Sequence, residues 1–422
     1  MIWLYRLILF LAPPFTLVRL WTGSRKNPEY AKRLIERTGR LPTTPKAGCI
    51  WVHAVSVGES IAATPLITAL LEKYPEQELL VTCTTPTGSQ TIQKAFGGRV
   101  HHSYFPYDYQ WFVNRFLKQA QPKMLILMET ELWPNMLMAC HRRGVKTAIV
   151  NLRLSDKSFK LYKRLSYLLK PILKHVDVFS AQTEVDGQRI VQMGAATESV
   201  SVTGNLKYDN VDSIVEKGDD LVSQLDISNR MVWCAGSTHQ GEDEMVLTAH
   251  RALLQQIPGA LLVIAPRHPE RFTDVSLLSE SRFITQRWSN LVNNDQPAEA
   301  TEVLILDTIG DLKQFIALSN FCFIGGSLVN VGGHNVLEAC GVGVPVLFGP
   351  YMQNFKQIAE KVVQSDSGVQ VLSEEELITK VAYLASNAAL RQAMAVNGVA
   401  LIQRNRGALK RTLKLVHDLN SG

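Results

Sequence analysis

Cysteine is scarce in this sequence and is never paired. Six cysteines are spread over 422 residues, and no two of them form a C-x-x-C pair. The pattern argues against a disulfide framework or a structural zinc site, and it is typical of reduced, buried thiols in a cytosolic protein. Internal repeats and low-complexity tracts are absent as well. With hydrophobic residues at 46% and charged residues at 19%, the composition indicates ordinary globular domains.

The sequence also lacks a plain membrane-spanning run. Its most apolar stretch, residues 1–22, has Arg6 and Arg19 near its ends and a Pro13-Pro14 pair between them. A spanning helix needs roughly 20 apolar residues, and proline interrupts a helix. No small-residue cleavage site follows a charged start, so a signal peptide is not predicted. We predict that residues 1–22 form a membrane anchor, as a short tilted span or as a helix lying in the interface. The alternative is a hydrophobic arm packed on the protein body.

Negative charge is scarce in the first half of the chain. Residues 1–210 contain 27 Lys and Arg against 15 Asp and Glu, whereas the remainder contains 17 against 23. A basic half indicates an anionic partner, either phosphate, acidic lipid or nucleic acid, or else a solvated basic face. The basic residues after the apolar stretch predict a cytoplasmic position next to anionic lipid. A second basic segment, residues 156–174, suits phosphates, a membrane surface or solvent. Its lysine pairs, without interleaved exposed aromatics, do not favour nucleic acid, and none is predicted.

Short apolar runs alternate with stretches of helical spacing along the chain. The alternation predicts parallel strands joined by crossover helices in an α/β fold, and the length predicts two domains. The pattern weakens over residues 207–230, so we place one Rossmann-like domain at 23–206 and a second at 207–422. The predicted strand runs are residues 49–57, 78–85, 124–131, 146–153, 176–183 and 199–206, and then 231–238, 260–267, 302–308, 320–327 and 344–350.

Several of these runs end in acidic, polar or glycine residues. Doubly wound sheets bind ligands outside the carboxyl ends of their strands, so these exits are candidate site positions. Glu59 lies where the first run becomes a helix, and there it is either a cap or a catalytic group. Residues 325–350 contain paired glycines and a predicted helix start, which favour close approach of an anion, while Glu338 suits ribose hydroxyls. The segment has neither G-x-G-x-x-G nor a Walker loop, so it favours a nucleotide sugar over a dinucleotide or ATP.

Seven motifs in order resemble one enzyme family. They are HAVSVGE, TPTGS, METELWPN, GNLKYD, GSTHQGE, PRHPERF and GGSLVNVGGHNVLEA, and the match extends from the apolar N-terminus to near the C-terminus. The sequence resembles the 3-deoxy-D-manno-octulosonic acid (Kdo) transferases of lipopolysaccharide assembly. The resemblance implies a GT-B fold with two Rossmann-like domains facing a cleft, CMP-Kdo as the sugar donor and a lipid A precursor (lipid IVA) as the acceptor. It also implies attachment to the cytoplasmic side of the cell inner membrane.

The resemblance further implies three catalytic residues. Glu59 corresponds to the general base, and Glu129 and Lys207 correspond to transition-state stabilisers. A carboxylate within reach of the acceptor hydroxyl takes its proton as the oxygen attacks, and a lysine offsets developing negative charge. A helix N-terminus lowers the pKa of Glu59 and burial raises it, and the sequence leaves both outcomes open. Glu131 either acts directly or caps the turn that follows it.

The implied nucleotide site lies in the second domain. Arg267 suits the donor phosphate or the cytosine, and Pro266 shapes its loop. Asp311 and Val336 replace a glutamate and a proline of the family pattern, which shortens the reach at position 311. The implied donor-binding residues are Pro266, Arg267, Ile309, Gly310, Asp311, Asn335, Val336, Leu337 and Glu338, and Ser237, Thr238, Gly326 and Ser327 are either phosphate contacts or loop structure.

No cofactor and no metal are predicted. The sequence has no D-x-D pair, and the single phosphate of CMP needs less charge neutralisation than a diphosphate, so we expect inversion by single displacement. His53, His239 and His334 lie on separate predicted loops without metal-ligand spacing, and we predict hydrogen-bonding roles for them. Two alternatives stay open: an enzyme of the same fold with another nucleotide sugar, such as an epimerase, and a catalytically silent membrane scaffold. Competition by CMP against UDP separates the enzymes, and absent nucleotide binding indicates the scaffold.

Overall fold

In the computed structural model the chain forms two compact units. The structure describes residues 5–6, 9–10, 32–211, 227, 230–293 and 300–421. The first unit comprises Met1–Asn210 and Asn405–Gly422, and the second comprises Val211–Arg404. Each unit is built around its own parallel sheet, as in a GT-B-like fold.

Strands and helices alternate in the first unit, as the apolar periodicity predicts. Helices cover both faces of a parallel sheet, so its central strands are mostly apolar and fully buried, with His53 and Thr82 as buried polar exceptions. The elements in chain order are β1 (Ile50–His53), α1 (Val57–Lys73), β2 (Leu79–Cys83), α2 (Pro86–Phe96), β3 (His101–Tyr104), α3 (Gln110–Ala120), β4 (Met124–Met128), α4 (Pro134–Arg142), β5 (Lys146–Leu152), α5 (Asp156–Arg164), α6 (Ser166–Leu173), β6 (Val178–Ala181), α7 (Glu184–Met193) and β7 (Val200–Val202).

The first sheet has the strand order β3-β2-β1-β4-β5-β6-β7. The chain moves outward in one direction from β1 and in the other direction from β4, so the topological switch point lies between these two strands. Ile50 to His53 of β1 pair in parallel with Met124 to Leu127 of β4. A crevice forms at the carboxyl ends of strands at such a point, because the crossover helices leave in opposite directions. The residues that follow β1 and β4 are therefore placed next to each other.

The second unit repeats this architecture. Its elements are β8 (Val232–Thr238), α8 (Glu242–Gln256), β9 (Leu261–Pro266), α9 (Phe272–Glu280), β10 (Thr285–Arg287), α10 (Trp288–Asn293), β11 (Val303–Ile305), α11 (Leu312–Leu318), β12 (Phe321–Ile324), α12 (Leu337–Gly341), β13 (Val346–Phe348), α13 (Lys356–Gln364), β14 (Gly368–Gln370), α14 (Glu374–Ser386) and α15 (Ala388–Asn405). The strand order is β10-β11-β9-β8-β12-β13-β14, which puts the switch point between β8 and β12.

Three strands were not predicted from the sequence, and all three lie at sheet edges. They are β3, β10 and β14, with the sequences HHSY, TQR and GVQ. An edge strand is covered less completely than a central one, so it does not need a continuous apolar run. All eleven predicted runs contain a strand, although β1 ends at His53 and residue 57 already begins α1.

The C-terminal helix α16 (Ala408–Ser421) and residues 207–210 belong to the first unit, whereas the sequence placed all of residues 207–422 in the second domain. The Asp209 carboxylate accepts hydrogen bonds from the backbone N–H groups of Gly407 (2.7 Å) and Leu409 (2.9 Å), which fixes the start of the helix. Ala408 and Val416 are fully buried in the core on one face of the first sheet. The apolar stripe of α16 packs against the first unit. The local sequence shows that the helix has an apolar face, but it does not specify which sheet that face covers.

The predicted membrane anchor, residues 1–22, lies outside the described residues except at positions 5, 6, 9 and 10. Two of these residues contact the body of the first unit: the Tyr5 hydroxyl donates to Asp108 at 2.8 Å, and the Arg6 Nε donates to Asn135 at 3.0 Å. Within the described part of the chain, no helix combines the length and the apolar character that crossing a bilayer requires.

Candidate functional site

The acid at the end of the first strand is held by the start of α1. Ser56 is the N-cap of this helix, and its Oγ accepts a hydrogen bond from the Glu59 backbone N–H. The Glu59 carboxylate reaches back to accept from the Val55 N–H at 2.7 Å and from the Ser56 hydroxyl at 3.0 Å. The motif S-x-x-E is thus a reciprocal cap, and this signal was readable in SVGE. Glu59 is locked in one orientation at the carboxyl end of β1.

Burial decides the protonation of Glu59. Burial, followed by the neighbouring Glu129 carboxylate, raises the pKa of Glu59 to about 7. The hydrogen bonds from Val55 and Ser56 and the charge of Lys207 oppose the shift without cancelling it. Removal from water penalises the charged form more than the helix start favours it. Of the two effects that the sequence left open, burial therefore outweighs the helix start and the pKa of Glu59 is raised. A carboxylate with this pKa accepts protons near neutral pH.

Glu129 and Lys207 complete a charge cluster beside Glu59. Glu129 follows β4 directly and has a left-handed backbone with φ of 59°, which is uncommon for a residue with a side chain. Its backbone N–H is held by the Val150 carbonyl at 2.8 Å. The Lys207 Nζ lies 3.9 Å from the Glu129 carboxylate. Burial lowers the pKa of Lys207, while the two glutamates oppose that shift. The switch point brings Glu59 and Glu129 together, and the turn after β7 brings Lys207 next to them.

Glu131 belongs to the same cluster. Burial, followed by the charge of Glu59, raises the pKa of Glu131 to about 8, and the nearby Trp133 indole opposes the shift. Close carboxylates cannot all be charged at low energetic cost, so the cluster holds protons near neutral pH. Glu131 thus affects the electrostatics of the site whether or not it contacts a ligand.

Asn151 positions Lys207 and was missed by the sequence analysis. This buried residue has φ of 56°, a left-handed conformation that asparagine tolerates better than most residues. Its Oδ1 accepts the Leu206 N–H at 3.0 Å, and the Asn205 Oδ1 accepts the Lys207 N–H at 2.9 Å. The two amides fix the short 3₁₀ turn Leu206–Tyr208 that presents the lysine. The signal was an asparagine inside the apolar run of β5, where a buried amide needs a specific partner.

A second missed residue, Glu242, organises the glycine loop of the second unit. Its side chain is fully buried at the start of α8. The Oε2 atom accepts from the backbone N–H groups of His239 (2.9 Å) and Gly326 (2.7 Å). The Oε1 atom accepts from those of Ser327 (3.0 Å) and Leu328 (2.9 Å). One carboxylate therefore joins the loop after β8 to the loop after β12.

This arrangement corrects the expectation for the phosphate contacts of the loop. The N–H groups of Gly326 and Ser327 already donate to Glu242 and are not free for a ligand. The Ser327 hydroxyl donates to the Ile324 carbonyl at 2.5 Å and accepts from the Gly349 N–H at 2.8 Å, so it is loop structure. Thr238 is fully buried, whereas Ser237 is partly exposed with a left-handed φ of 58°.

Basic side chains gather at the carboxyl ends of β8 and β9. Pro266 ends β9, and the backbone N–H of exposed Arg267 is held by the Thr238 carbonyl at 3.0 Å. His239 and His334 lie on separate loops, as the sequence predicts, and their Nε2 atoms are hydrogen-bonded to each other at 2.9 Å. Arg267 and Arg271 act as positive groups on His239, and Arg267 acts on His334 as well, which suits an anion at this end of the sheet.

The remaining predicted nucleotide residues differ in accessibility. Ile309 is 70% exposed, Gly310 has φ of 115°, and Asp311 accepts a hydrogen bond from the Thr308 hydroxyl at 2.5 Å. The side chains of Val336 and Leu337 are fully buried, so they support the loop from within. The Asn335 Nδ2 donates to Glu338 at 3.3 Å, and α12 begins only at Leu337.

No metal centre is formed by the described residues, since they contain no group of three His, Cys, Asp or Glu side chains arranged to hold an ion. His53 is a buried residue of the first unit whose Nδ1 contacts Thr82 at 3.0 Å, and burial lowers its pKa to about 3. Its ring stacks on Phe105 with the centroids 3.9 Å apart, which indicates a packing role.

Comparison with known proteins identifies the family. Residues 32–210 match the family described as 3-deoxy-D-manno-octulosonic-acid transferase (kdotransferase). The 3-deoxy-D-manno-octulosonic acid transferase of Haemophilus influenzae is 37% identical over 98% of this chain and 97% of that protein. The enzyme of the same name from Bordetella pertussis is 32% identical over 98% of both chains.

Solved structures agree in fold alone. The UDP-GlcNAc 2-epimerase of Neisseria meningitidis, bound to UDP-GlcNAc, superposes with a TM-score of 0.56 over 87% of this chain and 99% of its own, at 13% sequence identity. Proteins of many different functions share a fold, so this structural similarity does not assign a function. The family assignment rests on the near-full-length sequence identity above 30%. The chain is therefore a glycosyltransferase that belongs to the 3-deoxy-D-manno-octulosonic acid transferase family.

Proposed function

We propose that the enzyme transfers Kdo from CMP-Kdo to a lipid A precursor, lipid IVA, by an inverting single displacement with Glu59 as the general base. The observation that carries the proposal is the cluster of Glu59, Glu129 and Lys207 at the switch point of a chain in this family. A sugar hydroxyl is a weak nucleophile, and a fixed carboxylate with a pKa of about 7 is matched to removing its proton at neutral pH.

The displacement needs charge balance on both sides of the anomeric carbon. As the acceptor oxygen attacks, its proton passes to Glu59, while the bond between the anomeric carbon and the CMP phosphate breaks and leaves a more negative phosphate. Glu129 stabilises positive charge developing on the sugar ring, and Lys207 offsets the carboxylate of Kdo or the phosphate. The strained backbone of Glu129 fits this role, since such conformations concentrate at functional sites.

The donor site is assigned to the second unit without a metal. CMP contributes one phosphate, and the basic side chains at the ends of β8 and β9 supply the positive charge that a diphosphate would seek from an ion. Arg267 is exposed and free to reach a phosphate oxygen. Ser237, Asn335 and Glu338 supply polar contacts for the nucleotide. No cofactor enters this reaction.

We place the enzyme on the cytoplasmic side of the inner membrane. Residues 1–22 would provide the anchor, and the helices α5 and α6 would lie at the anionic lipid surface. Leu161 of α5, Leu165 between the helices and Tyr167 of α6 are 55%, 45% and 76% exposed, among lysines and arginines of the segment 156–174. The exposure of Tyr167 corrects the expectation that no aromatic side chain of this segment is exposed. Apolar side chains beside basic ones are typical of surfaces that bind anionic membranes.

Mass spectrometry tests the proposed reaction. Purified enzyme is mixed with tetra-acylated lipid A precursor and freshly generated CMP-Kdo in EDTA without added metal. We expect the lipid to gain the mass of one or more Kdo units. An unchanged lipid, with an active control enzyme in the same mixture, would contradict the donor and acceptor assignment. Product that forms only after metal is added would contradict metal-independent transfer.

The pH dependence of kcat/KM tests the assigned base. The base acts when ionised, so kcat/KM should rise with pH through about 7, the pKa of Glu59. Glu129→Gln removes a negative neighbour that raises this pKa. The rising limb of the pH profile of kcat/KM should therefore lie at lower pH in this variant than in the wild-type enzyme. Glu76→Gln, an exposed substitution in the same unit, is the control and should not move the limb. A limb that stays in place in Glu129→Gln would rule out Glu59 as the titrating group.

A further inference from the structure

The two histidines of the second unit form a single hydrogen-bonded pair. His239 follows β8, and His334 lies in the loop between β12 and α12, so the pair lies at the switch point of this sheet. Their Nε2 atoms are 2.9 Å apart, and their ring planes differ by only 7°. At this distance one Nε2 carries a proton and donates it in a hydrogen bond to the other Nε2, which is unprotonated. Both side chains are partly exposed, so the pair is open to a ligand.

The glycine loop is shaped to receive this pair. A Cβ at position 326 would lie 2.9 Å from the His334 Cδ2 and 3.3 Å from the His239 Cδ2. Gly326 also has φ of 65°, a conformation that favours glycine. Its N–H and that of His239 share the same oxygen of Glu242, which joins the pair and the loop in one rigid assembly.

Positive charge surrounds the pair. The groups that act on His239 are His268, whose ring lies edge-on at 5.3 Å, with Arg271 and Arg267. Those that act on His334 are Arg267 and the other two imidazoles. Burial first, and then these groups, lower the pKa of both histidines to about 4.

The carboxylates nearby are already engaged. Arg271 is paired with Asp243, Glu242 accepts four backbone N–H groups, and Glu270 lies 3.9 Å from His268 on the exposed side. In the ligand-free enzyme the pair is therefore neutral at pH 7, in surroundings that favour negative charge.

We infer that His239 and His334 recognise a phosphate oxygen of the donor nucleotide and take up one proton from solvent when it binds. The inference rests on the proposed function and adds two binding residues to it. The neutral pair holds two ring protons, one between the Nε2 atoms and one on an Nδ1. The added proton occupies the remaining Nδ1, so the bound pair carries one positive charge and has an N–H on each outer nitrogen, of which the one that faces the ligand donates to the phosphate oxygen.

This chemistry suits the change that the phosphate undergoes. The donor holds a phosphodiester with one negative charge, and transfer leaves a monoester with up to two. Without a metal, the protein must balance the additional charge as the bond breaks. A pair that binds a proton only beside an anion supplies this charge when it is needed, and it loses the proton again when CMP leaves.

Calorimetric titration with CMP and with cytidine tests the inference on the full-length enzyme. The wild-type enzyme should bind CMP more tightly than cytidine. Binding of CMP near pH 7 should be accompanied by the uptake of as much as about one proton, measured in two buffers of different ionisation enthalpy. In the double variant His239→Gln/His334→Gln, the affinity for CMP relative to cytidine should fall about 10–100-fold, while the affinity for cytidine itself stays unchanged. This is the effect expected from removing charge-assisted hydrogen bonds to the phosphate. Its proton uptake should disappear.

Single variants and a second histidine pair complete the design. His239→Gln and His334→Gln should each abolish proton uptake. The inference can therefore be tested even if only one of the two single variants folds. His141 and His175, stacked at 3.7 Å in the first unit, provide the control, and their double Gln variant should keep the wild-type preference and uptake. An unchanged preference for CMP in the folded His239/His334 variants, or wild-type proton uptake in them, would overturn the inference. Wild-type enzyme that binds UDP but not CMP would overturn the proposed donor as well.

Discussion

Glu59→Gln should transfer Kdo about 10²–10⁴-fold more slowly than the wild-type enzyme, because glutamine cannot accept the proton of the attacking hydroxyl. The comparison is made as single-turnover rates at saturating donor and acceptor, so that weaker binding is not mistaken for slower chemistry. The loss should appear in kcat, since the proton moves only in the transition state. The rise of activity through about pH 7 should vanish with the titrating group.

The substitution preserves the local structure. The glutamine Oε1 accepts the Val55 N–H as before, and its amide donates to the Ser56 Oγ, so the helix cap is retained. The folded-state pKa of Glu59 is raised to about 7, above the roughly 4.3 of an unfolded glutamate. Ionisation therefore favours the unfolded chain increasingly as pH rises from about 4 to 7. Above this window Glu59→Gln should be at least as stable as the wild-type enzyme.

Ser56→Ala is the matched control for the capping role. It removes the hydroxyl partner and leaves the carboxylate, so it should cost about 0.5–2 kcal/mol of stability without a collapse of kcat. Turnover of Glu59→Gln within a few-fold of wild type would mean that the residue is a helix cap alone. A comparable loss of kcat in the folded Ser56→Ala enzyme would point to orientation of the segment, not to proton transfer.

Glu242→Gln should destabilise the second unit by about 3 kcal/mol or more. Glutamine has the same volume, but it replaces one oxygen by an NH₂ group that faces two backbone N–H donors. A buried donor without an acceptor costs about 1–3 kcal/mol. The loops after β8 and β12 would separate, and nucleotide affinity should fall with the stability. Urea unfolding followed by fluorescence reports this loss, because Trp233 is fully buried in the same sheet.

Glu244→Gln provides the comparison for this measurement. Glu244 lies two residues further along α8 and is exposed, so its substitution should stay within about 0.5 kcal/mol of wild type. A Glu242→Gln protein with the wild-type urea midpoint would show that the four N–H groups find other acceptors. Loss of nucleotide binding without loss of stability would instead assign Glu242 to the ligand.

The sequence was informative wherever a local pattern carried the signal. Apolar runs located eleven strands, ten of which are central strands of the kind that parallel sheets bury on both faces. The short edge strands β3, β10 and β14 escaped, since edge positions do not require such runs. The C-terminal helix was assigned to the wrong domain because an apolar stripe does not specify its partner. Glu242 stood in the quoted motif GSTHQGE, yet its role depends on residues more than 80 positions later.

By itself the sequence determined the α/β class, the family and the acids and lysine at strand ends, since each depends on short motifs or local periodicity. Tertiary structure alone decided how these groups act. The switch point brings Glu59 and Glu129 together, and burial there raises the pKa of Glu59 to about 7 against the effect of the helix start. In the second unit, tertiary structure joins His239 to His334 across 95 positions. It also pairs the backbone N–H groups of Gly326 and Ser327, which were expected to contact the phosphate, with the Glu242 carboxylate. Desolvation and long-range contacts are properties of the packed chain, and no local segment contains them.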